Sequence, residues 1–258
     1  MRLDFAGVPP LLLIGIMEKK VLLFSGGFDS QLQEWLIKPD VLLYVDMKTS
    51  YSERELEVLS NLSKYYTDRL IIKELPLGEY ERDNKYLPYR NLILGTIAME
   101  YGQHVYFGFN YNDTAPDKDK MFLDKTTSLF KHLNVNCRAD MDWSTNNFSF
   151  NAPFLHLTKT QMVAECLRRG MPVEHIQGIR SCYSGYSRKG CGICGPCLSR
   201  AVALLNNDIY KKGLFDEEIT IEKLEKRFLY AQENPGNFKK KYLFDIKKAT
   251  EKLRLLQK

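Results

Sequence analysis

Val21-Leu22-Leu23-Phe24-Ser25-Gly26-Gly27-Phe28-Asp29-Ser30 is the stretch that decides how this chain is read. Four apolar residues form a short buried strand, and the two adjacent glycines allow a turn with positive φ that brings backbone close to a ligand. Asp29-Ser30-Gln31-Leu32-Gln33-Glu34-Trp35-Leu36 then opens a helix whose leading N–H groups point at an anion. The loop fits neither G-x-x-x-x-G-K-[ST] nor G-x-G-x-x-G, so the Walker-type and dinucleotide-type phosphate sites both lack their residues. Outward from it, short β-rich runs at Lys20–Phe24, Val41–Asp46, Leu70–Lys73 and His104–Phe109 alternate with helical periodicity at Ser52–Tyr66, Arg90–Tyr101 and Asp119–Leu133. That alternation predicts an α/β fold with a doubly wound parallel sheet. Ligands of such sheets sit beyond the strand ends at the switch point, where Ser25–Ser30 and Gly108-Phe109-Asn110 are expected to meet. Further helices are expected at Thr158–Arg169 and Leu198–Asn206 and at the end of the chain.

Cys182, Cys191, Cys194 and Cys197 follow a C-x8-C-x2-C-x2-C spacing inside the Gly-rich run Gly190-Cys191-Gly192-Ile193-Cys194-Gly195-Pro196-Cys197. Four thiolates this close suit a tetrahedral zinc ion with no open position, hence a structural metal. Disulfides, a redox C-x-x-C pair and an iron–sulfur cluster are the competing readings. Arg180, Arg188, Lys189 and Arg200 lie near enough in sequence to offset the net negative charge of four thiolates around a dication. Cys137 and Cys166 are expected to be small buried hydrophobes. His104, His132, His156 and His175 show no ligand spacing and are given no catalytic role.

The 258 residues, 44% of them hydrophobic, are enough for one substantial core, or one core with a small appendage. The net charge of +5 is modest and gathers late, at Lys239, Lys240, Lys241, Lys247, Lys248, Lys252, Arg254 and Lys258. A solvated helix face is the expected explanation, with a nucleic-acid contact as the alternative. At the other end, Pro9-Pro10-Leu11-Leu12-Leu13-Ile14-Gly15-Ile16 is too short to span a bilayer and lacks a small-residue cleavage site. Residues 1–16 are read as an extension, 17–157 as a nucleotide-binding α/β domain, and 158–258 as a helical region with the four cysteines. A cytoplasmic setting without a membrane partner is expected.

Ser25–Ser30 resembles S-G-G-x-D-S, the pyrophosphate loop of the ATP pyrophosphatase superfamily. An ordered series of further segments is similar to the 7-cyano-7-deazaguanine synthase family. It comprises Pro88-Tyr89-Arg90-Asn91, Gly108-Phe109-Asn110 with Asp113, Pro116-Asp117 and Phe122, Ala152-Pro153, Leu157-Thr158-Lys159, Ser181-Cys182-Tyr183, and Cys191–Cys197 with Arg200. The resemblance runs from about Lys20 to about Leu204 and implies an adenine nucleotide alpha hydrolase-like sheet. It also implies a reaction. ATP adenylates the carboxylate of 7-carboxy-7-deazaguanine, ammonia displaces AMP to give an amide, and a second ATP permits dehydration to the nitrile.

On that resemblance Ser25, Gly26, Gly27, Phe28 and Ser30 bind the nucleotide, and Asp29 organises the loop or Mg2+. Arg90 and Lys159 stabilise charge at phosphorus. Asp113 and Asp117 are candidates for Mg2+ or for hydrogen bonds to the base, with Asn91, Gly108 and Asn110 completing the nucleotide set. Phe28, Tyr89, Phe109 and Tyr183 are candidates to sandwich the deazapurine. A homodimer is the expected assembly. Where the family carries a Y-G-Q-x-H-like segment and a following glutamate, this chain has Asp46-Met47-Lys48-Thr49-Ser50-Tyr51-Ser52-Glu53-Arg54-Glu55. Its family tryptophan before the first zinc cysteine is Arg180. These departures fall around the substrate pocket, not the phosphate loop, and leave a protein amine, as in antiphage-defence relatives, as the alternative acceptor. Two other readings are a zinc-stabilised nucleic-acid-binding module and sulfur insertion into tRNA. The latter would need Cys137 or Cys166 as a transfer thiol.

Overall fold

The computed structural model describes residues 19–136, 148–180, 182 and 189–256. The 1–16 extension, Cys137, Ser181, Tyr183 and Arg188 lie outside the described residues. Five parallel strands form one sheet in the order β3-β2-β1-β4-β5. They are β1 Lys20–Leu23, β2 Val41–Asp46, β3 Leu70–Glu74, β4 His104–Tyr106 and β5 Ser149–Asn151. The crossovers are α1 Phe28–Ile37, α2 Ser52–Leu62, α3 Arg90–Ala98 and α4 Lys120–Asn136.

Alternate residues of the central strands face opposite sides, as the two-residue period of a strand requires. Val21, Leu43, Val45 and Val105 join a cluster with Ala98 of α3 and Leu123 of α4. Leu22, Phe24, Leu42 and Tyr44 join another with Leu59 of α2. Both faces are therefore dry, which is why β1 and β2 read as unbroken apolar runs instead of alternating.

After β5 the chain is helical: α5 Lys159–Arg168, α6 Val173–Gly178, α7 Gly195–Asn206, α8 Ile221–Glu233 and α9 Lys240–Leu256. Every residue of α7 from Cys197 to Asn206 is buried. That helix joins two cores. Ala203 and Leu204 pack with Phe28 and Leu32 of α1 and Met162 and Cys166 of α5, while Ala201, Val202 and Leu205 pack with α8 and α9. Each such leucine contributes roughly 1.5–3 kcal/mol by leaving water, so the C-terminal helices are tied to the nucleotide-side helices through α7.

The described structure differs from the sequence reading in its short elements. β5 was not anticipated, because Ser-Phe-Asn offers one apolar residue and no usable period. β4 ends at Tyr106, short of Phe109, where the chain turns into the Gly108 loop. α6, six residues long, was also not anticipated. The basic tail is the amphipathic α9, with Tyr242, Ile246, Ala249 and Leu253 inward. Several of its cations are occupied within the chain: Lys252 pairs with Asp208 at 2.6 Å, Arg254 with Glu225, and Lys241 lies 4.8 Å from the Tyr111 ring centre. No helix among the described residues is long and apolar enough to cross a membrane.

Candidate active site

Ser25–Ser30 lies between the C-terminal end of β1 and the start of α1, and the Gly108 loop leaves β4 beside it, at the switch point of the strand order. Gly26 takes φ +71°, and Gly27 is the N-cap of α1. No side chain caps α1. Thr158 caps α5 with a reciprocal Gln161 capping box and Thr220 caps α8, whereas α2, α3, α6 and α7, like α1, start without a side-chain cap. The loop is closed by its own groups. Gln31 Nε2 donates to Gly26 O at 2.6 Å, and Ser30 Oγ to Gly27 O at 3.0 Å. What remains is a helix N-terminus whose leading N–H groups and dipole suit an anion.

The cations converge on it. Lys159, the first residue of α5, pairs with Asp29 at 2.8 Å. Burial works against its charge, yet Asp29, and behind it Asp113, outweigh burial and raise its pKa. Asp29 also accepts from Asn110 Nδ2 at 3.2 Å, while its Oδ1 is buried with no partner among the described residues. Arg90, the first residue of α3, is half-buried and donates to Tyr51 Oη at 2.6 Å. Burial opposes its charge too, but Tyr51, Glu55 and Asp117 hold it protonated.

Asp113 bonds the backbone N–H of Asn110 at 2.9 Å and pairs with Lys118 at 2.8 Å. Burial alone would lift its carboxyl, but Lys118 and the Asn110 N–H outweigh that and lower it. Both of its oxygens are committed to shaping the loop. Asn91 donates to Asp117 Oδ2 at 2.8 Å, and Asp117 Oδ1, like Asp29 Oδ1, is buried and unpartnered. Asp29 lines both of the cavities described next, whereas Asp117 lines neither.

Two adjoining cavities open here. The inner one, about 230 Å3, is walled by Leu23, Leu43, Val45, Met47, Phe107 and Phe109, with Tyr44, Glu55, Arg90 and Asn91 among its polar lining. The outer one, about 690 Å3, is lined by Gly27, Arg54, Lys85, Lys159 and Arg180 and reaches Cys182 and Pro196. Ser25, Asp29, Ser30, Tyr51, Glu55, Arg90 and Lys118 line both and so mark their junction. Of the proposed aromatic sandwich, Phe109 lines the inner cavity and Phe28, a buried core residue, also lines the outer one, whereas Tyr89 is exposed and lines neither.

The residues that sequence reasoning missed are Tyr44, Tyr51, Glu55 and Lys118. For Glu55 a signal existed. Ser52, Glu55 and Leu59 share one face of α2, and Ser52 and Leu59 are its buried residues, so a carboxylate sits on the inward face of an amphipathic helix.

The four Sγ atoms of Cys182, Cys191, Cys194 and Cys197 lie within 4.8 Å of one another. Cys191 and Cys197 sulfurs are 3.9 Å apart and those of Cys194 and Cys182 are 4.0 Å apart. Thiolates about 2.3 Å from a tetrahedral zinc stand about 3.8 Å apart, so the set fits that ion. Backbone N–H groups of Cys191 and Cys194 point at the sulfurs of Cys182 and Cys191, at 3.3 and 3.4 Å. Gly190 at φ +125° and Gly192 at φ +78° make that folding possible. Arg200 braces the loop, donating to Lys189 O at 2.9 Å and to Gln177 O. Cys166, by contrast, is fully buried, bonds to Leu32 O, and burial pushes its thiol up to about 12. That setting matches the expected small buried hydrophobe.

A match to the family described as "Queuosine biosynthesis protein QueC" covers residues 55–208. Curated proteins named 7-cyano-7-deazaguanine synthase are similar. The one from Marinobacter nauticus is 30% identical over 146 residues, 53% of this chain and 60% of that protein. The one from Campylobacter hominis is 25% identical over 215 residues, 70% of this chain and 92% of that protein. The one from Archaeoglobus fulgidus is 30% identical over 156 residues, 57% of this chain and 60% of that protein. The aligned part thus spans well under two thirds of the Marinobacter and Archaeoglobus relatives and nearly all of the Campylobacter one. Because the match takes in more than half of the chain and includes the α3, Gly108, Lys159 and four-cysteine segments, the chain belongs to the QueC family.

Proposed function

We propose that this protein uses ATP to adenylate the carboxylate of 7-carboxy-7-deazaguanine and passes the acyl group to ammonia, ending in 7-cyano-7-deazaguanine. The observation that carries the reading is the uncapped α1 N-terminus at the switch point, faced by Arg90, Lys118 and Lys159 and opening into two adjoining cavities. A single heterocycle fills the inner cavity. The outer one has room for pyrophosphate and a second ring. A two-ring substrate pair with an anhydride between them matches that division.

In this reading the Gly26-Gly27 turn and the first N–H groups of α1 bind the β- and γ-phosphates. Lys159 exchanges its Asp29 bond for a phosphate oxygen, and Arg90 stabilises the charge that builds as the α-phosphorus is attacked. Asp29 would hold Mg2+, which when bound neutralises phosphate charge. The four cysteines would hold a structural zinc at the outer wall. Adenylation is required because a carboxylate oxygen leaves too poorly for direct amine attack.

Arg180, Arg54 and Lys85 line an outer cleft far larger than ammonia needs, and this supports transfer to a protein amine as the second reading. Mass spectrometry of reactions with MgATP, 7-carboxy-7-deazaguanine and either ammonia or candidate proteins separates the two. AMP, pyrophosphate and nitrile are the expected products. AMP with a mass increase on a protein would move the assignment to conjugation, and ADP would overturn the α-phosphate reading.

A further inference from the structure

Glu55 is a carboxylate with no place in phosphate binding, yet it stands at the junction of the two cavities. We infer that Glu55 is the general base of the second half-reaction, accepting the proton of the amine as it attacks the acyl-adenylate. The inference rests on the adenylation reading above and adds to it the residue that makes the nucleophile competent. The amine nitrogen bonds to the acyl carbon, the acyl C–O bond breaks, and its electron pair leaves with AMP. One N–H proton passes to the Glu55 carboxylate and from there to water.

Geometry supports the assignment. The same residues that border both cavities, Ser25, Asp29, Ser30, Tyr51, Arg90 and Lys118, are those that would surround the α-phosphate. A base on that border is beside the acyl carbon, whichever ring occupies the inner cavity. The groups facing Glu55 are Tyr44 and Asp46 from β2 and Arg90 from α3, with Asp29 and Lys118 lining the same space. The Tyr44 hydroxyl stands beside the carboxylate and favours its ionised form. Burial, chiefly, moves Glu55 up to about 7, against the hydrogen bond from Tyr44 and the charge of Arg90, with Asp46 adding to the rise. A carboxylate tuned to that value takes a proton at neutral pH far more readily than an ordinary one.

The two half-reactions can be read apart. Exchange of labelled pyrophosphate into ATP, dependent on 7-carboxy-7-deazaguanine, reports adenylation, and amide formation reports aminolysis. Rates of amide formation, normalised to free-base ammonia, should fall on the acid side with a midpoint near 7, because the protonated carboxyl cannot accept. Glu55→Gln keeps an acceptor for the Tyr44 hydroxyl. It should slow amide formation about 100-fold more than exchange and abolish the acid limb. Tyr44→Phe removes a donor to the anion, and the acid limb should move to higher pH. Equal loss of both half-reactions in Glu55→Gln, or an acid limb that neither variant moves, overturns the inference. Should Glu55→Gln fail to fold, the limb shift in Tyr44→Phe decides. Wild-type protein that makes no exchange at all would instead overturn the adenylation reading, and the role of Glu55 with it.

Discussion

Two glycine-rich loops in this molecule solve opposite problems. Ser25–Ser30 leaves its helix N-terminus without a side-chain cap and one Asp29 carboxylate oxygen without a partner among the described residues, so it stands open to a ligand. Gly190–Cys197 turns backbone N–H groups onto its own sulfurs and buries Cys197, so one ion completes it with no position left over. The difference also shows in what stands behind one glycine of each. A methyl group on Gly26 would meet the side chains of Val58, Leu59 and Leu62 at 2.9–3.2 Å, which can give way. On Gly192 it would meet the backbone oxygen of Glu217 at 1.9 Å, which cannot. Gly192 is the exception in its own loop, since Gly190 and Gly195 there meet side chains.

Removing the metal tests the contrast most severely. Cys182, Cys191 and Cys194 pack against the core of α7, α8 and α9, so chelation, or Cys194→Ser, should lower the melting temperature by on the order of 10 °C or more. Elemental analysis should find one zinc per chain before treatment. A stable protein without metal would erase the distinction between the loops. Next come the glycines. Gly192→Ala should cost roughly 3 kcal/mol or more, from the strained φ and the clash together, and Gly26→Ala about 1–3 kcal/mol. Urea denaturation of the two variants side by side checks the order.

At the open loop, chemistry should suffer before stability does. Lys159→Met should reduce AMP formation by roughly 100- to 1,000-fold, and if its loss appeared only as unfolding, the lysine would be a structural counter-ion. The smallest effect belongs outside both loops. Lys247 and Lys248 are exposed on α9, and converting both to alanine should change stability by less than about 0.5 kcal/mol and leave AMP formation unaltered. Loss of salt-sensitive RNA binding in that variant would restore the nucleic-acid reading.

The phosphate loop and the four-cysteine site were legible because each is local. A strand, two glycines and a helix start occupy consecutive residues, and three of the four sulfurs come from one seven-residue run. Arg90, Lys159 and the Gly108 loop could be nominated from their motifs, but their convergence depends on three different crossovers. For Glu55 the sequence shows only its place on the inward face of α2 and not its tuning. Its functional character comes from burial, and burial is conferred by Tyr44 and Arg90, 11 and 35 residues away in sequence. Short elements such as β5 escaped because three residues carry too little periodicity to register. The tail charges looked like one basic surface in the sequence, whereas the fold spends Lys252 and Arg254 on partners in other segments.

Arg180 closes the outer cleft by pairing with Glu57 of α2 at 3.1 Å, two residues before Cys182. Cys182 and Pro196 line the same cleft, so a zinc ion held by the cysteines and a nucleotide held in the cleft would border one wall from opposite sides. Any free energy by which the ion orders that wall must return as nucleotide affinity, and nucleotide must in turn tighten the hold on the ion by the same factor. Catalytic competence would then report on metal supply: a cell short of zinc would lose this activity through weaker substrate saturation before it lost the protein.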